Sequence, residues 1–124
     1  MKRTSGIIEI MNWNNLDSTN QLEEIKQTSN VDPVLIFKHS TRCPISSMSL
    51  SRLERKWADT NIQAYFLDLI SYRDVSNAVE REFGVLHQSP QALLIKGGKV
   101  VHHSSHSGID FDEISSIAND SQTV

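Results

Sequence analysis

Hydrophobic and polar positions along the chain follow two different periods. Three short apolar runs predict strands, at residues 34–37, 62–69 and 92–95. The first run contains no polar residue, which is typical of a central strand covered on both faces. Apolar residues also recur every three or four positions, which predicts four helices, at about residues 18–29, 44–58, 71–83 and 110–118.

Local signals mark the ends of these elements. Three capping boxes are predicted to open helices, at residues 18–21, 71–74 and 110–113. Pro44 suits the first position of the second helix, because its missing N–H needs no partner there. Gly84 is a suitable stop for the third helix. In the second helix we expect Met48 and Trp57 to lie in the core.

The order of elements predicts an α/β fold. A strand, a helix and a second strand imply a right-handed crossover between parallel strands. The two glycines in residues 96–99 predict a tight hairpin, which adds an antiparallel strand from residue 100. We therefore expect a central mixed four-stranded sheet flanked by helices on both faces, with a fifth strand as an option at the N-terminus. The predicted domain covers residues 16–118, between an N-terminal extension (1–15) and a polar tail (119–124).

The composition of the chain limits the classes of function that it can have. The chain has 124 residues, of which 38% are hydrophobic and 22% charged, as in ordinary globular domains. Its formal net charge is −3, which argues against nucleic acid or an anionic membrane as the main partner. A single cysteine excludes an internal disulfide and any multi-cysteine metal centre within one chain. No apolar run is long enough to span a bilayer, so we expect a cytoplasmic protein with a reduced thiol.

The single cysteine stands where chemistry is expected. Cys43 follows the first long strand and directly precedes Pro44, so it lies at a helix N-terminus. Unpaired backbone N–H groups there, and the neighbouring Arg42, favour the thiolate over the thiol. We therefore predict that Cys43 is partly exposed and reactive. Ser46 stands three residues later, where a dithiol enzyme has its second cysteine. A mixed disulfide on Cys43 must then wait for an external thiol.

With these features the chain resembles the thioredoxin superfamily. The resemblance implies a thioredoxin-like fold and a cis bond before Pro90, opposite Cys43. The segments 37–46 and 87–91 together are similar to the monothiol bacilliredoxins, bacterial proteins that use the small thiol bacillithiol. The active-site motif on which this similarity rests consists of Thr41, Arg42, Cys43, Pro44, Ile45 and Ser46.

The resemblance implies a thiol–disulfide oxidoreductase that removes bacillithiol from S-bacillithiolated client proteins. Cys43 would attack the bacillithiol sulfur, release the client thiol and carry bacillithiol itself. Free bacillithiol or a reductase would then regenerate Cys43. No bound cofactor is expected, since bacillithiol is a co-substrate.

Seven residues are predicted to contribute to substrate binding. Ser89 and Pro90 would shape the groove, beside Gln91 of the same motif. His39 and His87 flank the groove and could hydrogen-bond a thiolate or a leaving thiol. The carboxylates of bacillithiol could lie at the start of the last helix, near Gly108, with Lys38 and Arg42 supplying opposite charge.

Two other functions stay open at this point. Some monothiol glutaredoxins share an iron–sulfur cluster between two subunits, although their motif has Gly-Phe where this chain has Pro44 and Ile45. A non-catalytic thioredoxin-like adaptor is the other alternative. We expect no metal site at His102, His103 and His106, because neighbouring strand residues point to opposite faces.

Overall fold

The computed structural model describes residues 12–58 and 60–120. Residues 1–11 of the predicted extension and residues 121–124 of the predicted tail lie outside the described residues. The elements are β1 (Asn14–Asn15), α1 (Gln21–Thr28), β2 (Val34–His39), α2 (Pro44–Lys56), β3 (Gln63–Asp68), α3 (Arg73–Phe83), β4 (Gln91–Lys96), β5 (Lys99–Ser105) and α4 (Phe111–Ala118), with a short 3-10 turn (His106–Gly108) before α4.

The described strands form one mixed sheet in the order β1-β3-β2-β4-β5. Strands β1 and β2 run parallel to β3, whereas β4 runs antiparallel to both β2 and β5. The predicted mixed α/β sheet is confirmed, and the optional fifth strand is β1. The parallel β2–α2–β3 unit places the C-terminal ends of β2 and β3 at the same edge of the sheet.

Each face of the sheet is covered by its own layer of helices. Val34 and Ile36 of β2 face the cluster that contains residues of α1 and α3. Leu35 and Phe37 face the opposite cluster, which contains residues of α2 and α4. Every residue of β2 is buried, as the apolar run predicts. The alternation continues to the end of the strand, so Lys38 and His39 point into opposite layers.

Most predicted element ends are present, with some differences in the hydrogen bonds. Gly84 ends α3 with φ 69°, and the hairpin turn uses Gly97 and Gly98 at φ 61° and 79°. Asp110 caps α4 by accepting from the Glu113 N–H at 3.0 Å. The box predicted at residues 71–74 is wrong, because no side chain caps α3.

A local turn takes the place of that box. Asp68, at the end of β3, accepts from the N–H groups of Ile70 and Ser71 at 3.1 and 3.3 Å. Its carboxylate therefore organises the connection between β3 and α3. At residues 18–21 only half of a capping box forms, since the side-chain oxygen of Gln21 accepts from the Ser18 N–H while the Ser18 hydroxyl accepts from the Asn20 N–H.

Helix α2 is rotated relative to the predicted arrangement. The prediction that Met48 lies in the core is wrong, since 65% of this residue is exposed. Leu53 is buried and the Trp57 ring packs 4.8 Å from that of Phe111. These large side chains of the later turns orient the helix, and the residues on the same face of the earlier turns are serines. Ser46 and Ser49 are therefore buried.

No helix among residues 12–58 and 60–120 is long and apolar enough to cross a membrane.

Candidate active site

Cys43 lies at the edge of the sheet where β2 ends. It is the N-cap residue of α2 in an extended conformation, and it is partly exposed, as predicted. Its N–H donates to the Ser40 carbonyl and its carbonyl accepts from the Ser47 N–H, both at 3.1 Å. The Cys43 side chain makes no capping hydrogen bond, so the sulfur is not engaged by the helix. The backbone thus holds this residue while leaving its thiol available.

The other residues of the motif divide into an exposed and a buried set. Thr41, Arg42, Pro44 and Ile45 are exposed around the thiol. Ile45 has 54% of its surface exposed, which places an apolar side chain beside Cys43. Ser46 is fully buried. The exposed set can touch a substrate, whereas Ser46 acts inside the protein.

Ser46 joins the first turn of α2 to the end of β2. Its Oγ lies 2.7 Å from Nδ1 of His39 and accepts from the Ser40 N–H at 3.1 Å. The His39 ring lies against Phe37 and Phe66, with ring centroids 6.2 and 5.4 Å away. The position of a second cysteine therefore holds a hydroxyl with two hydrogen-bond partners of its own.

His39 does not lie on the surface of a groove. Only 6% of the residue is exposed, because its side chain points into the α2 layer. Burial lowers the pKa of His39, against the opposing effects of Asp68 and Glu54. The neutral imidazole is thus favoured. This corrects the predicted location of His39. The residue lies inside the protein, where it supports the active-site loop through Ser46.

The loop before β4 is connected to the first half of α2 through the 3-10 turn. The Ser89–Pro90 bond is cis, which confirms the expectation from the resemblance. The Pro90 carbonyl accepts from the His106 N–H at 3.1 Å, and the His106 carbonyl accepts from the Ser49 hydroxyl at 3.0 Å. These bonds connect the proline loop, the 3-10 turn and α2.

Gln91 supports the same loop from within the protein. It is 1% exposed; its amide nitrogen donates to the Leu86 carbonyl at 3.0 Å and its amide oxygen accepts from the Gln88 N–H at 3.4 Å. Because it is buried, Gln91 is not placed to contact a substrate directly. The residue instead holds the backbone that presents Ser89 and Pro90.

Lys38 is fully buried, which corrects its expected place near substrate carboxylates. It continues the face of Val34 and Ile36, and its Nζ lies 3.0 Å from Nδ1 of His87. An ammonium can only donate, so Nδ1 accepts and a neutral His87 carries its proton on Nε2. His87 is exposed and precedes the proline loop by two residues. Lys38 therefore sets the tautomer of a histidine that lies close to the proline loop in sequence.

The charges around Lys38 and His87 favour an ammonium that donates to a neutral imidazole. Burial lowers the pKa of Lys38 to about 8, although Glu80 opposes the shift. Burial and the Lys38 charge lower the pKa of His87, with Glu80 acting in the opposite sense and Arg73 in the same sense. At neutral pH the pair is therefore an ammonium and a neutral imidazole.

We expect Lys38→Met to reveal this buried charge as a pH dependence of stability. The folded pKa of about 8 lies below the ordinary 10.5, so the unfolded chain binds more protons between these values. Stability contributed by Lys38 therefore rises with pH through this window, by at most about 3 kcal/mol. The measurement is urea unfolding of both proteins at pH 7 and pH 10. Relative to the parent protein, Lys38→Met should be more stable at pH 7 than at pH 10. A stability difference between the two proteins that is the same at both pH values would contradict the buried charge on Lys38.

The start of α4 does not suit a substrate carboxylate, contrary to the expectation for Gly108. Gly108 is exposed, but the helix is already capped by the Asp110 carboxylate. Lys56 lies 3.0 Å from Asp110 and 2.7 Å from Asp112. An incoming anion would meet two carboxylates and a lysine that is already paired.

Sequence reasoning missed the contacts made by Ser49, Ser76 and His106. Ser49 and His106 connect α2 with the proline loop, and the Ser76 hydroxyl lies 3.5 Å from His87 Nδ1. A buried serine carries no periodic signal. In the part of the chain that the structure describes, no three His, Cys, Asp or Glu side chains group closely enough to hold a metal ion.

Comparison with known proteins gives a family and a fold. A family model described as monothiol bacilliredoxin BrxC matches residues 14–114. A solved structure described as a candidate oxidoreductase with a thioredoxin fold is similar at 26% identity and a TM-score of 0.72, covering 82% of this chain and 89% of that one.

Two thioredoxins share the fold at lower identity. The thioredoxin of Malassezia sympodialis is 15% identical with a TM-score of 0.66, covering 92% of this chain and 94% of that one. The thioredoxin of Fasciola hepatica is 13% identical with a TM-score of 0.64, covering 81% and 90%. The predicted thioredoxin-like architecture is thus confirmed.

Proposed function

Since this chain belongs to the monothiol bacilliredoxin family, we propose that its thiol redox function is the removal of bacillithiol from proteins that carry it as a mixed disulfide. The observation that carries the proposal is the contrast between Cys43 and Ser46. The one thiol is partly exposed at a helix N-terminus, and the site of a second thiol holds a buried hydroxyl. Such an arrangement favours capture of a small thiol and offers no internal group to release it.

The reaction is an exchange of disulfide partners. The Cys43 thiolate attacks the bacillithiol sulfur, and a new S–S bond forms between Cys43 and bacillithiol. The client sulfur leaves as a thiolate and takes a proton from water. A second thiolate, from free bacillithiol or a reductase, then attacks the bacillithiol sulfur and releases Cys43. Each step consumes one disulfide and one thiol and produces one of each.

The surroundings of Cys43 suit this exchange. Ile45 offers an apolar contact for a client, and the exposed Arg42 adds positive charge beside the developing mixed disulfide. His87, neutral with its proton on Nε2, stays a proposed hydrogen-bond donor to the substrate. The cycle needs a reducing compartment, so we place the protein in the cytoplasm as part of the proposal.

Mass spectrometry tests the proposal directly. Reduced protein is incubated with a client peptide that carries bacillithiol on one cysteine. We expect one bacillithiol on Cys43 and one free thiol on the peptide, in equal amounts. Failure to transfer, with Cys43 shown to be reduced and accessible to alkylation, would contradict the proposal. A brown protein after anaerobic purification would instead support the iron–sulfur alternative.

A further inference from the structure

Three residues, Ser49, His106 and Pro90, form a hydrogen-bonded bridge between α2 and the proline loop. The Pro90 carbonyl accepts from the His106 N–H at 3.1 Å, and the His106 carbonyl accepts from the Ser49 hydroxyl at 3.0 Å. His106 therefore contacts both elements through its own backbone. No step of the proposed exchange of disulfide partners uses Ser49 or His106, so the bridge has no role so far.

The bridge lies at the edge of the sheet where β2 ends and Cys43 follows. Gln91, the first residue of β4, pairs with Lys38 of β2 on one side and with Ser105 of β5 on the other. Adjacent strands are about 4.8 Å apart, so the end of β2, the proline loop and the 3-10 turn lie side by side in that order. The thiol and the proline loop are therefore presented at one edge by separate elements.

Ser49 connects the bridge to the helix that carries the thiol. Cys43 is the N-cap residue of α2, and its carbonyl accepts from the Ser47 N–H at 3.1 Å. Ser49 lies in the second turn of the same helix, about 9 Å from Cys43 along the axis. The backbone bonds of the helix hold Cys43 and Ser49 in a fixed relation. A bond at Ser49 therefore limits how far the start of α2 can move relative to the proline loop.

Two observations indicate that the bridge is held firmly. Ser49 is 1% exposed, so its hydroxyl is shielded from water. His106 has φ 54° and is the one non-glycine residue with a positive φ in the ranges 12–58 and 60–120. A residue with a Cβ atom is disfavoured in this left-handed region and persists there only where its surroundings hold it. In this conformation the His106 N–H and carbonyl reach partners on two different elements.

We propose that Ser49 is a positioning residue for the exchange of disulfide partners, acting through the His106 backbone to fix the proline loop relative to Cys43. The attacking, central and leaving sulfur atoms must be aligned in the exchange, so a small displacement of the loop that holds the disulfide slows the reaction. The inference rests on the proposed function for the reaction and for the contact between the proline loop and the disulfide. It assigns a role to a buried serine that does not touch the substrate.

The test compares Ser49→Ala with the parent protein in two reactions of Cys43. Transfer from a bacillithiolated peptide uses the thiol and the proline loop, whereas alkylation by iodoacetamide uses the thiol alone. We expect kcat/KM for transfer to fall about fivefold to twentyfold. The alkylation rate and its dependence on pH should stay within about twofold of the parent. A hydrogen bond that only stabilises the fold would not separate the two reactions.

Ser29→Ala is the matched control. Ser29 is also a buried serine, and its hydroxyl donates to the Lys26 carbonyl at 2.6 Å and accepts from the Gly98 N–H at 2.8 Å. It joins the end of α1 to the β4–β5 hairpin, at the opposite end of β4 from the proline loop. Ser29→Ala should lower the urea midpoint at least as much as Ser49→Ala, because two bonds are lost, and should leave both reactions unchanged.

Three results would overturn the inference. Unchanged transfer in Ser49→Ala would mean that the bridge does not align the reacting groups. An equal fall in transfer and alkylation would mean that Ser49 acts on the thiol itself and not on the proline loop. A similar fall in transfer in Ser29→Ala would mean that lost stability is the cause.

A second peptide, which carries cysteamine in place of bacillithiol, separates this inference from the proposed function. If only cysteamine is transferred, and Ser49→Ala slows that transfer, the positioning role stands and the proposed substrate is wrong. If bacillithiol is transferred equally fast by Ser49→Ala and the parent protein, the proposed function stands and the positioning role is wrong. If Cys43 takes the small thiol from neither peptide, both are wrong.

Discussion

Cys43→Ser is expected to abolish transfer of bacillithiol from a client, with a loss on the order of a thousandfold or more, down to the uncatalysed exchange. A serine hydroxyl does not ionise near neutral pH and cannot form a disulfide. The structure offers no substitute, since Cys43 is the only cysteine of the chain. The measurement is the rate at which the client thiol appears, with mass spectrometry to detect any adduct on the protein.

The fold of this variant should be intact. The Cys43 side chain makes no capping hydrogen bond, and serine is a preferred N-cap residue. We therefore expect Cys43→Ser to be as stable as the parent protein, or up to about 1 kcal/mol more stable. Retained activity in cells despite lost transfer would favour the adaptor alternative.

Ser46→Cys is expected to change the protein from a carrier of a mixed disulfide to a dithiol enzyme. N-cap and N3 side chains face each other across the first helical turn, which is the geometry of a capping box. A thiol at residue 46 should therefore attack a mixed disulfide on Cys43 intramolecularly. The lifetime of the bacillithiol adduct should fall by about a hundredfold or more, since proximity replaces an external thiol.

This substitution also has a cost that the structure predicts. Ser46 bonds to His39 and to the Ser40 N–H, and a thiol replaces these bonds poorly. We expect the reduced variant to lose about 1–2 kcal/mol of stability. Decay of the adduct is followed by mass spectrometry without added thiol, where the product should be an internal disulfide. Ser116→Cys, an exposed position on α4, is the control that adds a thiol elsewhere and should leave the adduct stable.

Much of the fold can be predicted from the sequence because it depends on strong local patterns. The apolar run of β2, the proline at the start of α2 and the two glycines of the hairpin each act on their own segment of chain. The rotation of α2 is different. Ile45 and Met48 form an apolar stripe in sequence, yet both are exposed because Leu53 and Trp57 determine which side of the helix meets the sheet.

The candidate site shows the same division. The sequence alone places Cys43 at a helix N-terminus and Ser46 three residues later, because this geometry lies within one helical turn. It does not show that His39 bonds to Ser46, that Lys38 bonds to His87, or that Gln91 braces the proline loop. Each of these residues is polar and occurs near the motif, which made substrate contact the natural expectation.

The sequence by itself determined the α/β fold, the solitary thiol and the absence of a resolving cysteine, since these follow from local patterning and from counting. Only the tertiary structure decided which polar side chains face a substrate and which face the interior. Sheet alternation and burial on both faces of β2 turned Lys38 and His39 inward. Packing of α2 against the sheet left Ile45 and Met48 exposed and buried Ser46 and Ser49 in their place.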